Sequence, residues 1–303
     1  MSELQISVVV PCYNEETNVA DALTALSDQQ TDYDYEIIVV DSSSDQTPRI
    51  VESRFENVRL LHSDARLSCG AARNRGLRMA RADKVLFTDA DVRVPPNWVQ
   101  TLGDHLESHD VVGGSLINGT PNSLTGTILF YLEFFRVLSG VKKHESFNFI
   151  CGANVGYRRA ILWDAPFSED LTTGEDIALN FELSRKRARF FYDSSLGAVH
   201  INKQGLKRIT DYLVALGKGG HLWRVARDPR GLSLRYPLLM LSKPVLLVLY
   251  LYYDRLTNRR PDELLKVMLL TPLLVPLDYF WFWGFWRSCR GAHVGLERDG
   301  VSP

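Results

Sequence analysis

Short β-branched runs alternate with stretches of helical periodicity through the first third of the chain. Ile6-Ser7-Val8-Val9-Val10 reads as a strand ended by Pro11, and Val19, Ala22, Leu23 and Leu26 then recur at helical spacing. Residues 35–40 predict a second strand with Asp41 at its end. Ser42-Ser43-Ser44-Asp45 is a polar turn, and a helix follows over 47–55 with Pro48 in its first turn, where proline is tolerated. A third strand over 58–61 precedes Gly70 and a helix carrying Ala71, Ala72, Leu77 and Met79. Val85, Leu86 and Phe87 form a fourth strand that delivers Asp89 and Asp91 where it stops, and Pro95-Pro96 bars its continuation. This alternation predicts an α/β fold: a mostly parallel sheet, right-handed crossovers and helices on both faces.

The pattern changes near Tyr236. Residues 237–253 carry one charge, Lys243. After the charged interval 254–266, residues 267–286 are apolar except for Thr271 and Asp278. Both stretches approach the ~20 residues that cross a bilayer. The second closes on Tyr279-Phe280-Trp281-Phe282-Trp283-Gly284-Phe285-Trp286 beside Arg287 and Arg290, as at a membrane interface. Lys243, Asp278, Pro272 and Pro276 disturb the spans, and Arg255, Arg259 and Arg260 oppose an external loop. The expectation is a two-helix hairpin with both ends cytosolic. Helices lying in the interface are the alternative, and a soluble subdomain is a third, which would leave a large apolar patch. The expected division is a catalytic domain over 1–230 and a membrane-associated helical region over 231–303.

Composition narrows the class. Lysine plus arginine number 35 against 36 acidic residues in a 303-residue chain, so net charge gives no argument for nucleic acid. The cysteines at 12, 69, 151 and 289 form no CxxC and fit reduced thiols. Residues 1–5 are polar and the apolar run after them is short, so no signal peptide is expected and the amino-terminal portion is placed in the cytosol.

Two carboxylates one residue apart at a strand's carboxyl end suit a magnesium or manganese ion shared with a pyrophosphate, because ligands of open α/β sheets bind outside that edge. Solvated turn aspartates are the alternative. The other strand ends collect Pro11, Tyr13, Glu15, Asp41 and Arg73. Asp41 can accept from a base imide or ribose hydroxyl, Tyr13 can offer a ring face, and Arg73 can pair with phosphate. Equally, Asp41 can cap the next helix and Arg73 can be an exposed helix residue. Neither a Gly-rich dinucleotide fingerprint nor GxxxxGK[ST] is present, which disfavours the usual NAD and ATP cradles.

Four segments in order carry a resemblance: Val8-Val9-Val10-Pro11-Cys12-Tyr13-Asn14-Glu15-Glu16; residues 37–47 around Asp41; Gly70-Ala71-Ala72-Arg73-Asn74-Arg75-Gly76; and Phe87-Thr88-Asp89-Ala90-Asp91. Over about residues 6–200 the chain resembles family-two, inverting glycosyltransferases of the GT-A fold. The resemblance implies a nucleotide-sugar donor, often a UDP-sugar, with a metal between its diphosphate and the Asp-X-Asp. Pro11, Tyr13, Glu15, Asp41 and Arg73 would hold nucleoside and phosphates. Asp89 would face ribose or sugar and join the metal side, and Asp91 would bind the metal.

Further on, Asn148 to Arg159 and Thr173-Gly174-Glu175-Asp176-Ile177-Ala178-Leu179 extend the match. Carboxylates at a helix amino terminus are favoured by the macrodipole, so Glu175 and Asp176 can simply cap. The resemblance makes Asp176 the catalytic base, with Glu175 the alternative, and puts Gly152, Ala153 and Asn154 in the acceptor pocket. His200, after a short strand-like run from Leu196, is either structural or, by the resemblance, a third metal ligand; imidazole suits manganese better than magnesium. The basic residues between Lys203 and Arg230 form a solvated face or meet anionic head groups. Processive synthases of the family carry Gln-x-x-Arg-Trp after the base. Gln204-Gly205-Leu206-Lys207-Arg208-Ile209 departs from that, which favours single-sugar transfer.

The resulting expectation is a glycosyltransferase on the cytosolic face of the cell membrane, using a polyprenyl or dolichyl phosphate, or a saccharide built on one, as acceptor. It is similar to enzymes that assemble lipid-linked glycans for surface glycoproteins. A membrane-anchored nucleotidyltransferase or a catalytically silent nucleotide-sugar-binding module is the other class.

Overall fold

The computed structural model describes residues 4–138, 144–145, 149–228 and 230–298; Asn148 of the second motif lies outside them. Two compact units emerge: Met1–Gly119 with Arg136–Asp170 and Glu175–Ile201, and Thr120–Phe135 with Leu171–Gly174 and Asn202–Pro303.

The first unit holds the sheet. Its elements run β1 (Ile6–Cys12), α1 (Val19–Ser27), β2 (Tyr35–Asp41), α2 (Thr47–Arg54), β3 (Val58–His62), α3 (Cys69–Met79), β4 (Lys84–Thr88), β5 (Val92–Arg93), α4 (Trp98–His105) and β6 (Val111–Asn118). After α5 (Leu124–Phe134), which belongs to the second unit, come β7 (His144–Glu145), β8 (Asn154–Arg158), α6 (Arg159–Trp163), α7 (Glu175–Arg185) and β9 (Phe190–His200). Among the described residues the strand order is β3-β2-β1-β4-β8-β6-β9-β5, with β7 also on β9.

The parallel, β-branched half is as expected: β3, β2, β1 and β4 are parallel neighbours, and Val8, Val9, Ile38, Val39, Leu86 and Phe87 are fully buried. Runs apolar on both faces are what a covered parallel sheet requires. Beyond β4 the sheet is mixed, because β8 runs antiparallel to both β4 and β6. One boundary moves: β1 continues through Pro11 to Cys12, with Pro11 opposite Val40. Its pairing with β4 stops at Val9, so at Pro11 the strand has one neighbour and the missing N–H interrupts no second ladder. The short strand foreseen before His200 is an eleven-residue β9, hidden from periodicity by its buried polar Asp193 and Ser194.

The second unit is helical. It contains α5, α8 (Leu206–Arg227), α9 (Leu232–Arg235), a 3-10 turn over Pro237–Ser242, α10 (Lys243–Thr257) and α11 (Pro261–Arg298). Pro237–Thr257 and Pro261–Arg290 are long and apolar enough to cross a membrane by length and composition. This unit starts earlier in the chain than residue 231, since α5 and α8 belong to it.

Candidate active site

The strand ends place the carboxylates, and their fields meet on two cysteines. Burial, then the charges of Asp41, Glu15, Asp91 and Asp89, push the Cys12 thiol well up. Cys69 is raised by burial and by Glu175, Asp89 and Asp176, against the opposing pull of Arg73. Both thiols therefore stay protonated at neutral pH, and three of the charged groups acting on Cys69 belong to one hydrogen-bonded network.

Arg73 is its hub. One turn into α3, it is buried rather than solvent-facing; its Nη2 donates to Asp89 Oδ1 at 2.8 Å and its Nη1 to the Glu175 carboxylate. Its Nε is buried without a partner among the described residues. Asn74, next to it, holds the loop ahead of α7 through Phe167 O at 2.9 Å and Phe167 N at 3.0 Å. A Cβ on Gly152 would fall 2.8 Å from Arg73 Nη2, so only glycine lets this backbone lie against the guanidinium.

The two carboxylates opening α7 divide their work. Glu175 is buried and tied to Arg73, whereas Asp176 is only partly covered and accepts backbone N–H bonds from Gly152 and Ile177, each 2.7 Å. Burial, followed by the charge of Glu175, pushes the Asp176 carboxyl up to about 6 against Arg73 and the two N–H groups. That leaves it ionised at neutral pH and still basic enough to take a proton.

Asp91 and His200 face each other across the β5–β9 pairing, with Oδ1 and Nε2 3.7 Å apart. Among the described residues no group of three or more His, Cys, Asp or Glu side chains forms a ready cage. A carboxylate and an imidazole still fit a divalent ion that takes its remaining ligands from substrate phosphates, and this donor pair favours manganese. Asp89 stands one residue away with Oδ1 committed to Arg73.

At the end of β2, Asp41 does not cap α2: Gln46 is that helix's cap residue, and Asp45 accepts from Thr47 N at 2.9 Å. The Asp41 carboxylate is fully buried, held by Ser43 Oγ at 2.5 Å and His62 Nδ1 at 2.6 Å. Tyr13 is exposed with the Arg66 guanidinium 4.3 Å from its ring centroid, Pro11 is the penultimate residue of β1, paired with Val40, and Glu15 accepts from Asn18 at 2.8 Å. His62, Ser43 and Arg66 were not singled out by pattern; the register of β2 and β3, which sets His62 beside Asp41, identifies the first of them.

Of the residues expected at the acceptor pocket, Asn154 is fully buried, giving both N–H groups to Ser115 O and Leu196 O at 2.9 Å and accepting from Trp98 Nε1 at 2.8 Å. Its amide ties β8 to its neighbours. Ala153 is likewise buried, its carbonyl accepting from Thr88. Of the three, Gly152 is the one beside Asp176.

The parallel half-sheet with a mixed extension is the GT-A arrangement. The mannosyltransferase PcManGT of Pyrobaculum calidifontis, solved with GDP-Man and Mn2+, superposes with a TM-score of 0.55 at 19% identity over 99% of this chain and 76% of that one. S. aureus TarS with UDP gives 0.52 at 19%, over 96% and 92%. The family model "Glycosyl transferase family 2" matches residues 7–165, and the chain belongs to that family. Chondroitin synthase of Escherichia coli is 28% identical over 246 residues, 68% of this chain and 36% of that protein. Glycosyltransferase AglE of Haloferax volcanii is 26% identical over 180 residues, 57% and 59%. The chain thus spans less than two thirds of either relative.

Proposed function

We infer that the chain is a metal-assisted, inverting glycosyltransferase that moves one sugar from a nucleotide-sugar donor to an acceptor held at a membrane. The observation that carries this is one set of contacts within the sheet-bearing unit: Arg73 on Asp89 at 2.8 Å and on Glu175, Gly152 against that guanidinium with its N–H on Asp176 at 2.7 Å, and Asp91, two residues from Asp89, 3.7 Å from His200. The names of its relatives and neighbours support the class. PcManGT was solved with a GDP-sugar and TarS with UDP.

In this reading Asp176 takes the proton of the attacking hydroxyl while the diphosphate leaves on the opposite side of the sugar. Glu175 acts through Arg73 and is a positioning residue. Arg73 fixes Asp89 toward the sugar or ribose. Tyr13, Glu15 and the Asp41 group line the nucleoside side. Asp91 and His200 would hold a magnesium or manganese ion, which supplies positive charge to the departing diphosphate. The sheet-bearing part of 1–230 would house this chemistry and the apolar helices of 231–303 would keep it at a cytosolic membrane face. A polyprenyl or dolichyl phosphate, or a saccharide on one, is the acceptor class that fits. One-sugar transfer is favoured by the altered Gln204–Ile209 stretch, although chondroitin synthase makes a polymer.

The test is incubation of the full chain with manganese, radiolabelled UDP- or GDP-sugars and a lipid extract. Label in the organic phase with inverted anomeric configuration supports the assignment. Pyrophosphate release would establish nucleotidyl transfer instead, and donor binding without turnover would establish a silent module.

A further inference from the structure

The membrane part of that reading leaves open how the oily helices meet the bilayer, and the second unit contains the constraint. Tyr131 of α5 donates to Glu263 in the first turn of α11, while Tyr212 in the second turn of α8 donates to Glu133 of α5 at 2.6 Å. One turn of α5 therefore clasps the tip of the α10–α11 hairpin together with the start of α8. Toward the other end of α11, His221 Nδ1 of α8 lies 2.8 Å from Ser288 Oγ. Between these points the helices cross in backbone contact. A Cβ on Gly217 would sit 1.9 Å from Trp281 O, and one on Gly284 would sit 2.0 Å from Val214 O.

A hairpin that crossed a bilayer would drag α8 across with it. That helix has 22 residues, about 33 Å at 1.5 Å each, enough to reach. But Lys207, Arg208 and Asp211 are exposed at its start, Lys218 is exposed near its middle and Arg227 near its end. Lys218 would stand near the bilayer centre, where a lone ammonium is strongly disfavoured.

The apolar exposure is instead one-sided. On α10 the exposed positions from Val245 to Tyr253 are all apolar or tyrosine, including Leu246 and Leu249. On α11 those from Leu265 to Trp283 carry no charge over roughly 27 Å of axis. The opposite face of the pair is covered by protein: Leu247, Leu251, Leu274 and Phe285 are buried there, beside Lys243 Nζ 2.5 Å from buried Asp278. Exposed Arg227, Arg230, Arg235, Arg259, Arg287 and Arg290 flank these apolar stretches along the chain, against exposed Asp228 and Asp262. A one-faced apolar surface with a basic margin matches the interface of an anionic leaflet.

We propose that α10 and α11 lie in the plane of an anionic lipid leaflet, exposed face immersed, and do not cross it. This rests on membrane attachment but not on sugar transfer, and the experiment separates the two. The full chain is mixed with preformed phosphatidylcholine vesicles with and without phosphatidylglycerol, and sedimented. Reversible binding, several-fold tighter with the anionic lipid and weakened about tenfold by Leu269→Lys or Leu246→Lys, is expected. In parallel, Asn258→Cys at the hairpin tip is probed in spheroplasts with a membrane-impermeant maleimide, with the unsubstituted chain as background. Labelling only after lysis is expected. Labelling of intact spheroplasts would establish a spanning hairpin and overturn in-plane docking even if transfer is normal. Absence of binding to either vesicle would overturn it together with the membrane acceptor. Intact docking without lipid-linked product would remove the acceptor assignment and leave the docking standing.

Discussion

Replacing Asp176 with asparagine should abolish transfer and yet stabilise the fold at neutral pH. Moving this carboxyl from its ordinary value of 3.8 to about 6 corresponds to about 3 kcal/mol between its protonated and ionised forms. Its folded value lies above its unfolded one, so the folded chain binds the proton more tightly. The associated stability is complete below about pH 4 and is lost as pH rises through about 6. At neutral pH the ionised side chain therefore strains the native state, by about 2 kcal/mol once partial exposure is discounted. Asparagine carries no charge. It also keeps only one of the two acceptor oxygens that now serve Gly152 and Ile177, a loss of about 1 kcal/mol. The net expectation is a variant about 1 kcal/mol more stable than the parent at pH 7.5 and less stable by a similar amount at about pH 4. Chemical denaturation at several pH values measures the crossover. Turnover at saturating donor should fall by about 100-fold or more; the parent is expected to show an acid limb near pH 6, and the residual activity of the variant should lack it. Parent-like turnover with the acid limb intact, or a stability difference flat with pH, would refute both the base assignment and its electrostatic origin.

The other expectations concern separate parts of the molecule. Asp91→Asn should weaken manganese affinity about 10- to 100-fold, read by titrating bound Mn2+ spectroscopically as well as by activity; unchanged affinity would remove it from the metal pair. His62→Phe frees the buried Asp41 carboxylate of its 2.6 Å partner and should raise the donor KM several-fold with little change in kcat; a matching fall in kcat would point to misfolding of the rim instead. Gly217→Ala puts a methyl 1.9 Å from Trp281 O and should destabilise the helical unit by about 1–3 kcal/mol in thermal unfolding, while nucleotide binding is retained.

The parallel half of the sheet was legible because β1, β2 and β4 are covered on both faces and so read as unbroken β-branched runs. The mixed half was not, and the reason is chemical. β6 contains Gly113, Gly114 and buried Ser115, β8 contains Asn154 and Gly156, and β9 hides Asp193, so neither period 2 nor an apolar run marks them. Their pairing is set by tertiary hydrogen bonds such as Asn154 to Ser115 and Leu196. The same holds at the site. Asp89, Asp91 and Asp176 were visible as carboxylates at element ends, but the partner of Arg73 lies 102 residues along the chain. The burial of Asn154 was not legible, because a polar residue in a Gly-Ala-Asn run looks exposed and its partners, Trp98 and two carbonyls, are distant in sequence.

The Arg73 hub also explains why two adjacent acids at one helix start need not compete for one role. A guanidinium with separate nitrogens on part-exposed Asp89 and buried Glu175 offsets the repulsion between two carboxylates, leaving the trio one net negative charge. In the proposed reaction this pairing gives Glu175 a positioning role, since its Oε1 is held by a cation that never deprotonates in this range. Its negative charge persists, however, and is what lifts Asp176 after burial. Glu175 thus adds to what burial does to the basicity of its neighbour, and through Arg73 it is linked to Asp89. Under the proposed function donor binding and proton transfer would share this one ion network, with positioned charge at Asp89 and a basic carboxylate at Asp176.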